Sequence, residues 1–364
     1  MKNIRFTYFL LLGLILGTSC ETGTSSQSSF DRSLFLEHYA YQIIQPAITS
    51  FYKETQALQA SVVQLASEKT LDNLQNAQTA WDQTYRAFTG INTLNFGPGG
   101  TEGLRRNLLE EVNLGPVDIK NLEKKIASKD NDFTDSRRNT RGLLAIEYLL
   151  FGTTSNEETL AQMDDARSTY LLGACTRLAQ QAEQLNAAWQ GEYVEEFVSS
   201  EGTGVKSSTT QMFNEMIRSF EGLRDTKLGI PMGLIAGQTT PQPEQVENPY
   251  SKNSLDYLLL HYQNIIKLWN GASSSVEEGP SWQTYLGSIE GGQTLVENIE
   301  KQTAKIDQVI EAIPNNKNLQ ELALENDPAL TELYTELQKL TRLLKGEASS
   351  LLGLAITFST GDGD

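Results

Sequence analysis

Residues 142–152 read GLLAIEYLLFG, a nearly continuous apolar run with one carboxylate, Glu147, at its centre. Leu143, Leu144, Ile146, Leu149, Leu150 and Phe151 cover almost every side of a helix, so the acid is expected inside the protein. A buried carboxylate must find a cation, a hydrogen-bond donor or a proton. In one arrangement Glu147 is half of a structural pair with Arg141, Arg138 or Arg86, or with a tyrosine hydroxyl or the backbone. In the other it faces a ligand or metal in a cleft. The chain has two histidines, His38 in its opening helix and His261 in SLDYLLLHYQNIIKLWNG. At the start of that second segment Ser254 or Asn253 can cap the helix, and Asp256 suits the positive end of its dipole. His261 reads first as a satisfied helix histidine and second as a metal ligand.

Other chemical signals are thin. There is no His-Glu-x-x-His zinc motif. FGPGGTEG (96–103) lacks the Lys-Ser/Thr of a phosphate-binding loop and reads as a turn able to line a cleft. The terminal GDGD offers Asp362 and Asp364, too few oxygens for a calcium loop. Trp81, Trp189 and Trp269 fall at helical spacing and suit a core, whereas Trp282 in EEGPSWQTYL is flanked by loop residues and stands apart. Lys plus Arg total 29 against 46 for Asp plus Glu, a net charge of −17, which argues against nucleic acid as a partner and makes cations the more natural small ones.

The elements that must position Glu147 are helices. Tyr39, Ile43, Ile44, Ala47, Ile48 and Phe51 recur at spacings of three and four, followed by Leu58, Val62 and Leu65, and Leu74, Ala77, Trp81, Tyr85 and Phe88 repeat the pattern. Ser155 and Asn156 can cap one long helix carrying Leu160, Met163, Tyr170, Leu178, Leu185 and Trp189. Cys175 falls within it as a small core residue. No alternating strand stands out, so the chain is all-α, built from antiparallel helical bundles. A Gly/Ser/Thr-rich seam at 195–210 divides it into an N-terminal bundle over 30–200 and a C-terminal bundle over 201–364. The segment 228–254, with Pro231, Pro241, Pro243 and Pro249, is long for a connection and therefore a functional loop or lid. Asp327 and Pro328 fit the cap and first turn of the last long helix.

Residues 1–19 read as a signal peptide: Lys2 and Arg5, then the apolar stretch Phe6 to Leu16, too short for the roughly twenty residues a membrane-spanning helix needs. GTSC ends at Cys20 and is similar to a bacterial lipobox, which makes Cys20 the site of lipidation and residues 20–29 a flexible tether to the membrane. With Cys20 lipidated, Cys175 has no partner for a disulfide.

GLLAIEYLLFG also resembles the signature helix of the imelysin-like family, Gly-x-His-x-x-Glu followed by an apolar run and Gly. AWDQTYRAFTGINTLNFGP (80–98), KLGIPMG (227–233), VENPYSKNSLDYLLLHYQNIIKLWNG (246–271) and LGLAITFSTGDGD (352–364) resemble further family segments, in family order, so the likeness spans the mature chain. It implies an exported or lipid-anchored envelope protein of the outer membrane, with two helical bundles related by approximate internal duplication and a site between them. It also implies either iron uptake or metallopeptidase activity. Gly142 and Glu147 match the pattern, but its His position is Leu144, and 87–95 lacks an expected acid. His and Glu at i and i+3 share a helix face and can ligate one metal; leucine cannot. The expectation is a noncatalytic protein that binds a small ligand, metal or envelope partner at Gly142, Leu144, Glu147, Arg141 and Arg86 together with Ser251, Asn253, Ser254, Asp256 and His261, and binds iron or zinc weakly at best. The alternative is a metallopeptidase with a nonstandard metal site in which Glu147 is a ligand.

Overall fold

The computed structural model describes residues 30–100, 108–273, 276 and 279–358, which form helices joined by turns with no strand among them. Cys20, the tether, and Asp362 and Asp364 lie outside these residues. The side chain of Asp31 caps α1 (Arg32–His38), which runs through a π-helical stretch, Tyr39–Ile44, into α2 (Gln45–Ser67). Thr70 caps α3 (Leu71–Thr89) after a link so short that α3 must fold back along α2. Ile48, Phe51, Leu58, Val62 and Leu65 share one face of α2 and are buried. Short helices α4 (Leu108–Val112) and α5 (Ile119–Ser128) lead to α6 (Gly142–Phe151). The single long helix expected after Ser155 is two: α7 (Asn156–Gln162), capped by Ser155, and α8 (Asp165–Gln190). The cause is local, since the Asp164 side chain accepts the Arg167 N–H and so starts a new helix. A short α9 (Tyr193–Ser199) follows. The first-half core is α2, α3, α6 and α8 packed on one another.

In the second half Ser207 caps α10 (Ser208–Glu221), which widens into a π-helical stretch, Gly222–Gly229, before α11 (Ile230–Met232). After the loop come α12 (Ser254–Trp269), α13 (Trp282–Gly287), α14 (Gly292–Glu311) and α15 (Leu319–Leu324). Then α16 (Pro328–Thr341), capped by Asp327 with Pro328 in its first turn, passes through a third π-helical stretch, Arg342–Ala348, into α17 (Ser349–Leu352). The contacts of α10 with α12 and α16, and of α14 with α16, build this half's core.

Helix contacts join the halves at two places among the described residues. Helix α12 packs on α3. Helix α1 docks on second-half residues: the Phe35 ring meets Trp282 edge-on at 4.9 Å, Tyr39 donates its hydroxyl to the Leu268 carbonyl, and His38 Nε2 lies 2.7 Å from the Gly271 carbonyl oxygen. Trp282 is therefore not a loop residue apart from the core. It is fully buried, because the first turn of α13 inserts it among Phe35, Tyr39 and Phe213. Cys175 is buried in the core, as its spacing predicts.

Candidate functional site

Helix α6 is fixed at its start and along its sides. At its start Gly142 has φ +79°, and a Cβ there would lie 2.5 Å from the Val112 carbonyl oxygen. The glycine of the signature is thus a backbone requirement, where α6 presses on the end of α4, and not a ligand contact. On the α3 side the Trp81 indole N–H donates to the Leu143 carbonyl at 2.9 Å. Helix α6 also packs on α8.

This scaffold leaves Glu147 with no solvent exposure, at the wall of a cavity of about 610 Å³. The backbone N–H of Ser251 donates to Glu147 Oε1 at 2.8 Å, while Oε2 has no partner. Burial pushes the Glu147 carboxyl up to about 8, opposed by the Ser251 and Tyr250 backbone donors and reinforced by the nearby Glu247 carboxylate. Of the partners expected from sequence, then, backbone is the one used. Ser251 contributes through its N–H, and Ser254 supports that turn by donating its hydroxyl to the Asn248 carbonyl.

Leu144 and His261 line the same cavity. His261 is buried; its Nε2 lies 2.7 Å from the Ser219 hydroxyl and its Nδ1 has no partner. Burial, with Lys227 nearby, holds its imidazole well below its ordinary range, so the ring is neutral. The wide π-helical turn brings Lys227 to the wall, where it pairs with Glu247 at 2.7 Å. Glu247 also accepts from Asn113 Nδ2 at 2.7 Å. Arg218 pairs with Glu215 at 3.2 Å on α10.

The remaining candidates stand elsewhere. Arg141 is turned to Asp135 at 3.3 Å and Glu111 at 3.5 Å, and lines a separate cavity of about 300 Å³ with Arg138 and Arg177. Arg86 binds Asp82 at 2.8 Å. Asp82 also accepts from the Tyr257 hydroxyl at 2.7 Å and from Asn253 Nδ2 at 3.4 Å, so Arg86 and Asn253 belong to a joint between α3 and α12. Asn253 precedes α12 without a side-chain capping bond, and its Nδ2 is turned to Asp82. Asp256 is exposed in the first turn of α12, at the positive end of the helix dipole.

A metal ion held here would need several side-chain donors. Among the described residues no three His, Cys, Asp or Glu side chains stand close enough to hold one together. At the signature position the cavity wall is the Leu144 side chain, and Glu247 is already occupied by Lys227 and Asn113. These residues do not fit a resident metal.

A sequence profile of the imelysin family matches residues 44–344. The chain belongs to the imelysin family. A curated relative, "Iron-regulated protein A" of Synechococcus elongatus, is 23% identical over 289 residues, covering 77% of this chain and 75% of its own. The crystal structure of an imelysin-like protein from Psychrobacter arcticum has a TM-score of 0.72 at 17% identity, over 90% of this chain and 97% of its own. That of a putative iron-regulated protein A precursor from Parabacteroides distasonis has a TM-score of 0.72 at 19% identity, over 92% and 97%. These two structures establish the imelysin fold and nothing finer. Sequence reasoning missed Asp82, Asn113, Ser219, Lys227 and Glu247. Lys227 opens the family-like segment KLGIPMG and Glu247 lies in VENPYSKNS, so a charge beside a recognised segment was the available signal.

Proposed function

We propose that this chain is a noncatalytic imelysin-family protein of the cell envelope, held at the outer membrane by lipid on Cys20. It binds a ligand in the cavity between its two bundles, 30–200 and 201–364, in connection with iron uptake. The observation that carries the noncatalytic reading is Leu144: the position at which the family signature has histidine is an apolar wall beside a lone buried acid. Iron uptake is supported by the name of the Synechococcus relative, and the anchor by the lipobox-like GTSC.

The purified mature protein is expected to leave peptide substrates uncut and to carry less than stoichiometric iron or zinc by metal analysis, with and without Glu147→Ala. Stoichiometric metal that disappears in the variant would sink the noncatalytic reading and favour a metallopeptidase. Raised expression under iron limitation is the expected sign of the role, and loss of membrane fractionation in Cys20→Ala that of the anchor.

A further inference from the structure

Each cation of the cavity wall is paired with a carboxylate, while several of the wall's polar atoms lack hydrogen-bond partners. We infer that the ligand is an uncharged, largely apolar organic molecule carrying a hydroxyl, carbonyl or amide group. This rests on the ligand-binding reading above and specifies what fills the site.

Arg218 is paired with Glu215, and Lys227 with Glu247, so neither wall cation is left to receive an anion. Glu244 is exposed, on the solvent side. An ion entering would lose its water and find the opposite charges already satisfied, a net cost. Much of the wall is apolar, from Leu109, Val117, Leu144, Ile230, Val246 and Pro249. The volume of about 610 Å³ is that of a small-molecule site. Against this apolar wall stand four buried polar atoms without a hydrogen-bond partner: Glu147 Oε2, His261 Nδ1, Asn113 Oδ1 and Lys227 Nζ, the last already charge-paired with Glu247. Asn113 Oδ1 can only accept a hydrogen bond, while the protonated acid donates one, so a neutral group able both to donate and to accept satisfies the set. Leaving such atoms buried and unpaired costs free energy, which a ligand of this class relieves.

The test uses three probes of one size: 1-naphthol, 1-naphthoate and 1-naphthylmethylammonium, titrated by calorimetry into the full mature protein. Naphthol is expected to bind at least tenfold more tightly than either ion. Its binding is expected to vanish in Leu144→Trp, which fills the cavity, and in Val117→Trp, a less buried wall position retained should the first variant fail to fold. Glu147→Ala should weaken naphthol at least tenfold, with Glu147→Gln, which keeps a donor and no charge, restoring at least half of that loss. Tighter binding of either ion, abolished by the filling variants, overturns the inference and leaves the ligand-binding reading standing. A Gln variant as poor as Ala also overturns it, since the acid would then act by its charge. Absence of any probe binding sensitive to the filling variants overturns the ligand-binding reading itself.

Discussion

Glu147 binds its proton more tightly in the folded chain than in the unfolded one, where it ionises near 4.5, because burial pushes it up to about 8. Between those values the folded protein holds a proton that the unfolded chain has released, so raising the pH favours unfolding. The stability from this proton is complete below 4.5 and is lost as pH rises toward 8. His261 acts in the opposite sense: held neutral well below 6.5, it costs stability as pH falls and the unfolded ring becomes protonated. Replacing Glu147 by Gln removes the first slope and leaves the second. Urea unfolding at about pH 5, 6.5 and 8 should therefore show Glu147→Gln gaining on the native protein with each step, by roughly 1–3 kcal/mol in all. A constant difference across the three would mean that the carboxyl is not held protonated. Gly142, Leu144 and Glu147 were legible as a unit because they lie within two turns of one helix. Their partner was not, since the Ser251 N–H arrives from 104 residues away.

At the scale of elements, the joint between α3 and α12 is organised by Asp82, a residue without motif character. It receives the Tyr257 hydroxyl, the Asn253 amide and the Arg86 guanidinium. Tyr257 is 1% exposed, so removing its acceptor strands a buried hydroxyl. Asp82→Ala is expected to cost about 2 kcal/mol. Arg86→Ala should cost under about 1 kcal/mol, because exposed ion pairs contribute little and the Arg86 side chain is 37% exposed. Unfolding of the single and double variants would test this ordering, and an equal loss from both singles would contradict it. Helix identity was readable from the three-and-four periodicity of residues such as Ile48, Phe51, Leu58 and Val62. The break at Asp164 was not, since Met163 and Tyr170 keep the apolar pattern going while a side-chain oxygen, which periodicity ignores, starts a new helix. The π-helical turn that delivers Lys227 to the cavity is invisible for the same reason: the added residue changes the backbone without altering the polarity of the segment.

Across the whole molecule, α1 belongs by sequence to the first half and by contact to both. Phe35 has no exposed surface and touches Tyr39 of the π-helical stretch that continues α1 and Trp282 and Tyr285 of the second half. Phe35→Ala should cost about 3–5 kcal/mol. Because the ring spans both halves, the loss should lower the midpoint of the entire unfolding curve, followed by far-ultraviolet circular dichroism and by tryptophan fluorescence in parallel. An early transition confined to one signal would mean that the halves are stable independently of this clamp.

The bond from Ser251 to Glu147 also makes one backbone amide a gauge of cavity opening. That N–H leaves a turn and is given to a buried carboxylate on α6, so its hydrogen cannot exchange with solvent until the 246–253 wall segment lifts from that helix. Where closing outruns chemical exchange, the rate at which Ser251 acquires deuterium reports the fraction of molecules with the cavity open, and an occupant seated beneath that segment slows it.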